Sequence, residues 1–168
     1  MLHVFKSLPV AREVQRADAL PGRARAYRHD TITLGWEERL RARSRRRSDG
    51  GFEFGTTLPR GTTLREGDGF VFEEARIVVT VVERPEPVFV IEPRSPAEWG
   101  LFAYCIGNSH QPLMVMSTAL VCPDVPGMEQ VLTYHGIPFS RANRSFTPAG
   151  LGLDPYVAGH QHTPELGR

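Results

Sequence analysis

Lysine and cysteine are nearly absent from this 168-residue chain. Lys6 is the only lysine, so the basic side chains are otherwise arginine. Cys105 and Cys122 are too few for a disulfide scaffold at this length, which indicates a reducing compartment such as the cytoplasm. No stretch approaches the roughly 20 apolar residues that span a bilayer. The first six residues also lack the pattern of a signal peptide, so we expect a soluble cytoplasmic protein with no membrane segment.

The motifs of several function classes are also missing. The chain has no Cys-x-x-Cys pair, no Gly-rich phosphate loop, no His-Glu-x-x-His and no Gly-x-Ser-x-Gly. Asp124 and Glu129 give no convincing pair of catalytic carboxylates. The formal net charge is only +1, without the positive excess that general binding of nucleic-acid phosphates requires. The sequence therefore predicts no enzyme, and its net charge gives no support to general nucleic-acid binding.

The first half of the chain has the pattern of short strands separated by turns. Arg39, Arg41, Arg43 and Arg45 alternate with smaller or apolar residues, which is typical of a half-buried strand with its charges outward. Ser48-Asp-Gly-Gly51 predicts a hairpin turn, followed by a return strand over residues 52–58. β-branched and aromatic runs predict further strands at 70–72 and 77–82. We therefore expect an all-β domain over residues 1–86.

The second half predicts a ferredoxin-like domain over residues 87–148. A strand at 88–91 precedes Ser95-Pro96, which suits the start of a helix over 97–106, with Gly107 just past its end. A strand pair at 113–116 and 119–122, a helix at 128–135 and a strand at 137–146 complete the order βαββαβ. The Gly- and Pro-rich residues 149–168 predict a flexible tail. The fold class is thus α+β.

Among the six histidines, His110 has the most suggestive setting. It lies in a loop that follows the C-terminal end of a predicted helix, where the partial negative charge favours a cation, and Pro112 stiffens the loop. His3 and His29 stand alone, and His135 fits equally well as a residue that ends a helix. Cys105 and Cys122 lie on apolar stretches and are expected to fill core.

One imidazole is a poor site for a divalent transition metal, which usually needs several ligands. Two-fold symmetry in a homodimer could bring the same histidine from both subunits together. Alternatively, His160 and His162 in the tail could supply further nitrogen ligands and release the metal readily. The residues alone leave both possibilities open.

Two other functions are compatible with the pattern. The arginine run Arg39–Arg47 could bind nucleic acid, although it lacks the interleaved aromatics on which single strands stack. The β domain could also act as a protein-interaction adaptor in which metal binding is incidental.

Several motifs resemble one family in consistent order over residues 20–148. They are Arg41-Ala-Arg43 before the Asp49-Gly50 turn, Leu58-Pro-Arg-Gly61, Leu64-Arg-Glu-Gly-Asp68 and Tyr104-Cys-Ile-Gly-Asn-Ser-His-Gln-Pro-Leu113. Together they resemble the UreE urease accessory proteins, with the Gly-Asn-x-His-x-Pro stretch as the most specific piece.

The resemblance implies a peptide-binding-like β domain followed by a ferredoxin-like domain that forms a homodimer. It implies that His110 binds Ni²⁺ jointly with its symmetry mate, with His160 and His162 representing the usual histidine-bearing tail. Delivery would be to a urease-activating GTPase assembly and the urease apoprotein. Cu²⁺ and Zn²⁺ are expected at the same site, because affinity follows ligand type.

This chain departs from the family pattern at two places. Some members carry further histidines just before the second helix, whereas this chain has Cys122-Pro-Asp-Val-Pro126. Whether Cys122 or Asp124 replaces them as a ligand is left open by the sequence. The histidine-rich tail is reduced to two histidines, which predicts little capacity to buffer nickel.

Overall fold

A computed structural model describes residues 8–149, and the chain divides into two compact units. The first comprises the residues up to Glu86 together with Asn143–Ser145, and the second comprises the remainder from Pro87. Within residues 8–149, no helix is long and apolar enough to cross a membrane.

The first unit is built mainly from six strands in two three-stranded sheets. Their order is β1-β4-β3 in one sheet and β2-β6-β5 in the other. Two 3-10 helices (Ala17–Ala19 and Gly22–Ala26) precede β2, and a short α-helix, α1, follows it. The elements are β1 (Val10–Ala11), β2 (Arg28–Leu34), α1 (Trp36–Arg39), β3 (Arg43–Arg47), β4 (Glu53–Thr57), β5 (Gly69–Phe72) and β6 (Ile77–Glu83).

The core of the first unit forms around the apolar run of β6. As the central strand of its sheet, β6 is nearly continuous in β-branched residues, as expected when both neighbours are strands and most side chains are buried. Phe54, Phe70 and Phe72 pack against it as a cluster of rings with centroids 5.0–5.5 Å apart. The hairpin between β3 and β4 turns at residues 48–52, where the sequence predicts it.

The predicted strand from Arg39 is wrong in its first part. Arg39 ends α1 and is buried, with an exposed fraction of 1%, and its Nη1 lies 2.9 Å from Glu83 Oε1. The strand begins only at Arg43, and Arg46 within it is also buried. The alternating pattern of arginines does not reveal which side chains face solvent. It also does not reveal which are buried, as Arg39 is beside Glu83.

The second unit has the predicted ferredoxin-like arrangement. Its four-stranded sheet has the order β10-β7-β9-β8, in which β9 pairs antiparallel with both β7 and β8. This order places the first and third strands of the unit at the centre. The elements are β7 (Glu86–Ile91), α2 (Pro96–Asn108), β8 (Met114–Val115), β9 (Leu120–Pro123), α3 (Met128–Tyr134) and β10 (Ser140–Arg144).

Helix α2 starts as the sequence predicts. Ser95 Oγ accepts a hydrogen bond from the Glu98 N–H at 3.2 Å, and Pro96 occupies the first turn. Phe102 and Ile106 are buried beneath the helix in a core with Phe89, Leu120 and Leu132. The helix continues past the predicted end at Gly107, and this extension determines the backbone of the residues that follow.

Candidate metal centre

The backbone of His110 closes the C-terminus of α2. The His110 N–H donates to the Gly107 carbonyl at 2.9 Å, and the Gln111 N–H reaches the Ile106 carbonyl at 3.4 Å. This pair of bonds defines a Schellman motif in which Ser109 is the C-cap residue. His110 has φ = 55°, so it occupies the left-handed position that glycine usually takes. The predicted role of Gly107 therefore falls on His110.

A side chain in the left-handed region stores strain, although histidine is among the residues found there more often than most. The usual cost is about 1 kcal/mol or more, which a glycine would avoid. The side chain of Ser109 reinforces the turn, since its Oγ donates to the Cys105 carbonyl at 2.9 Å. Strain that persists at an exposed histidine points to a role for the imidazole rather than for the backbone.

The environment of His110 favours a cation. Helix α2 has 13 residues, and its C-terminal end carries the partial negative charge of the helix dipole. Within residues 8–149, however, no group of three or more His, Cys, Asp or Glu side chains could hold a metal ion. Within the described residues, one chain thus supplies His110 as a single candidate metal ligand at this loop.

An uncharged face of α2 leads to His110. Leu101 and Tyr104 have exposed fractions of 57% and 68%, and Ala97, Gly100 and Asn108 are exposed on the same side of the helix. Large apolar side chains that are exposed next to one another often mark an interface. Sequence reasoning identified only the buried face of this helix, although the spacing of residues 97, 101, 104 and 108 also indicates a second face.

The last described residues return to the strand that follows the His110 loop. Phe146 is fully buried, and the Ala149 N–H donates to the Leu113 carbonyl at 2.7 Å. Ala149 is thus hydrogen-bonded to a residue that follows His110 by three positions in the sequence. His160 and His162 lie outside the described residues. His160 follows Ala149 by 11 residues, a length that can reach about 36 Å when extended.

Cys122 and Asp124 are poor replacements for histidine ligands. The Cys122 thiol is fully buried, and burial together with Asp124 raises its pKa to about 12. The group is therefore a neutral thiol, whereas metals bind the thiolate. The Asp124 carboxylate lies 2.6 Å from Arg141, which also pairs with Glu129 at 2.6 Å. Both carboxylates already have a cationic partner.

The other histidines have settings that need no metal. His135 ends α3, and its ring lies edge-on to Tyr134 with centroids 5.0 Å apart. His29 is exposed on β2, and its main chain pairs with Val78. His3 lies outside the described residues.

The arginine run does not form a continuous ridge for nucleic-acid phosphates. Arg39 and Arg46 are buried. Arg45 pairs with Glu53 at 3.0 Å, and Arg41 lies 3.9 Å from Glu37. Three of its six arginines are thus buried or have a carboxylate at hydrogen-bonding distance, which gives little support to binding of a long polyanion.

Comparison with known proteins gives one consistent result. A model of the N-terminal domain of the UreE urease accessory protein matches residues 11–83, and a model of its C-terminal domain matches residues 86–166. A urease accessory protein UreE of Burkholderia thailandensis is 34% identical over 91% of this chain and 68% of its own length. One from Bacillus cereus is 32% identical over 68% of this chain and 76% of its own. One from Ralstonia nicotianae is 33% identical over 96% of this chain and 72% of its own.

Proposed function

This chain belongs to the UreE urease accessory protein family, and from that premise we propose that it is a nickel metallochaperone. It binds Ni²⁺ through His110 at a homodimer interface and delivers the ion for assembly of the urease metallocentre. Membership of the family confirms the resemblance inferred from the motifs. It also confirms that the chain is an accessory protein and not an enzyme.

The backbone of His110 is the single observation that best supports this proposal. A histidine occupies the left-handed position of a helix-capping motif where glycine would be easier to accommodate. The imidazole is exposed at the negative end of a helix dipole, which is a favourable place for a cation. Imidazole nitrogen suits Ni²⁺, and Cu²⁺ and Zn²⁺ should bind the same ligands.

A second copy of the chain would complete the site. The exposed apolar face of α2, with Leu101 and Tyr104, ends at the His110 loop. A two-fold axis beside this face would bury it and bring two His110 side chains together. Under this proposal, residues 1–86 form a peptide-binding-like domain and residues 87–148 the metal-binding and dimerisation domain.

The tail, residues 149–168, supplies further ligands in this proposal. The hydrogen bond from Ala149 to Leu113 starts the tail in the same unit as the His110 loop. His160 and His162 can then join the metal and leave it without disturbing a folded core. Such a site suits transfer of nickel to a urease-activating GTPase assembly and the urease apoprotein in the cytoplasm.

Nickel titration by calorimetry tests the role of His110. We expect His110→Ala to lower the affinity for Ni²⁺ by about tenfold or more, because a directly coordinating nitrogen is lost. His135→Ala is the matched control, since it removes an exposed histidine that also follows a helix in the same unit. Unchanged affinity in His110→Ala, or an equal loss in both variants, would refute the proposal.

Metal analysis of a chain that ends at Gly150 tests the tail separately. We expect this shortened chain to remain a dimer and to bind nickel more weakly than the full chain. The double change His160→Ala and His162→Ala in the full chain should reproduce the loss. Equal nickel affinity in all three proteins would remove the tail from the proposed ligand set and leave the His110 claim to its own test.

A further inference from the structure

A small polar pocket in the first unit lies between β2 and β3, far along the chain from His110. Its volume is about 170 Å³. Both strands are at the edges of their sheets, so their main chains are not paired with each other. The side lined by β3 and the preceding turn contains arginines at positions 41, 45, 46 and 47.

Arg46 is the unusual member of this group. It is buried, with an exposed fraction of 6%, and no carboxylate in the described part of the chain forms an ion pair with it. Its Nε bonds Thr56 Oγ1 at 3.3 Å, and its Nη2 bonds the carbonyls of Glu38 and Arg41 at 3.0 and 2.8 Å. Its Nη1 donates no hydrogen bond to any residue in the range 8–149.

A buried guanidinium without an opposite charge is costly, because buried charges are normally paired. Burial lowers the pKa of Arg46 accordingly, while the charge of Glu38 opposes this shift. The Glu38 carboxylate is itself bound by Arg84 at 2.6 Å and by the Gly35 N–H at 3.0 Å. Glu38 also lines the pocket, so the buried cation shares it with one carboxylate that already has Arg84 as its partner.

The edge of β3 leaves main-chain N–H and C=O groups beside the pocket that do not pair with β4. The hydrogen bonds of Ala42 and Ser48 face β4, so alternation along the antiparallel ladder turns the N–H groups of Arg45 and Arg47 away from β4. The Asp49 N–H follows the same alternation and donates to the Thr31 carbonyl of β2 at 2.7 Å. Neither the Arg45 nor the Arg47 N–H has a partner within the described residues.

Exposed arginines complete the set of donors. Among residues 8–149, the Arg41 guanidinium has Glu37 as its only ion-pair partner, at 3.9 Å. The Arg47 guanidinium forms no ion pair with any residue from 8 to 149. Arginine guanidinium groups supply the forked donors that bind tetrahedral oxyanions.

We infer that this pocket is a binding site for a single phosphate group, held by the buried Arg46 together with Arg41 and Arg47, which also line it. The volume of about 170 Å³ admits one phosphate group. The phosphate is either the free ion or a group carried by a nucleotide. This inference is independent of nickel binding, because it uses no residue of the proposed metal site.

Calorimetric titration of the metal-free full chain with sodium phosphate, at constant ionic strength, tests the inference. We expect saturable binding that weakens about tenfold or more in the double variant Arg41→Gln and Arg47→Gln, since charge-assisted hydrogen bonds are lost. Both side chains are exposed, so the variant should fold. Titration with a nucleoside triphosphate identifies the source: competition with phosphate indicates a carried group, and no competition indicates the free ion.

The matched control is Arg28→Gln with Arg43→Gln. These exposed arginines lie on the same two strands, outside the pocket, and their removal changes the net charge equally. We expect phosphate affinity within about twofold of the unaltered chain, because screened surface charges at a distance contribute little. Equal losses in both double variants, or no saturable binding of phosphate below about 10 mM, would overturn the inference.

Discussion

At the scale of a single residue, two substitutions of His110 can distinguish the strain in its backbone from the proposed metal binding by its side chain. Replacing His110 by glycine should relieve the left-handed strain and stabilise the metal-free chain by up to about 1 kcal/mol. Replacement by alanine should give no such gain, because alanine keeps the strained backbone. Both variants should lose nickel affinity. Urea denaturation of the metal-free proteins measures the difference, and equal stability of the two variants would contradict this account of the strain.

Sequence reasoning found His110 but could not predict its backbone. The Gly-Asn-x-His-x-Pro stretch placed it after a helix, and Gly107 offered an obvious terminator. The helix instead continues for two residues beyond Ile106 and ends with Ser109 as its cap. Glycine adopts right-handed and left-handed backbone conformations with similar ease, so the identity of Gly107 does not determine the last helical residue.

At the scale of an element, two carboxylates attach the β3–β4 hairpin to β2. Asp30 accepts hydrogen bonds from Ser48 Oγ and the Gly50 N–H, and Asp49 accepts from the Thr31 and Thr33 side chains. These bonds lower the pKa of both carboxyl groups below the ordinary value. A Cβ on Gly50 would lie 2.5 Å from Asp30 Oδ2, so the close approach requires glycine there.

The sign of the pH dependence follows from these pKa values. Both groups bind fewer protons when folded, so their stabilisation is complete above the ordinary pKa of aspartate and is lost as pH falls through the folded values. We expect the free energy of unfolding to decrease as the pH falls from about 5 to about 3, a range that includes the ordinary aspartate pKa of about 3.9. The double variant Asp30→Asn and Asp49→Asn should be less stable at neutral pH and show a flatter profile. A parallel profile would contradict the role of these carboxylates.

Arg39, the buried arginine of α1, shows why the predicted strand from Arg39 was wrong in its first part. Arg39 bonds the Leu64 carbonyl at 3.1 Å and pairs with Glu83 at the end of β6, contacts 25 and 44 residues away. Such partners cannot be deduced from the spacing of arginines. By contrast, the βαββαβ order and the hairpin depend on turns, caps and apolar runs, which are local, and the sequence predicts them correctly.

Removing one partner of this ion pair should be more damaging than removing both. We expect Arg39→Met to destabilise the chain by about 3 kcal/mol, because Glu83 loses its cation. Adding Glu83→Gln to Arg39→Met should recover part of the loss. Thermal or urea unfolding gives both values. A double variant that is less stable than Arg39→Met would contradict the assignment of the cost to the unpaired carboxylate.

At the scale of the whole molecule, the apolar face of α2 predicts a dimer. We expect Leu101→Glu with Tyr104→Glu to give monomers in sedimentation, because it places charges on the surface that would be buried. Tyr134→Glu is the control, since Tyr134 is 86% exposed on α3 of the same unit. Unaltered dimers in the α2 variant, or dissociation in the control, would assign the interface to another surface.

The number of nickel ions per chain tests the central claim most directly. Nickel should be titrated into the full chain, His110→Ala and the α2 double variant, with the oligomeric state measured on the same samples. The account predicts one tightly bound ion for every two chains, shared by two His110 side chains, and loss of this site in both variants. One tightly bound ion on each monomer of the α2 variant, with affinity unchanged from the dimer, would contradict it.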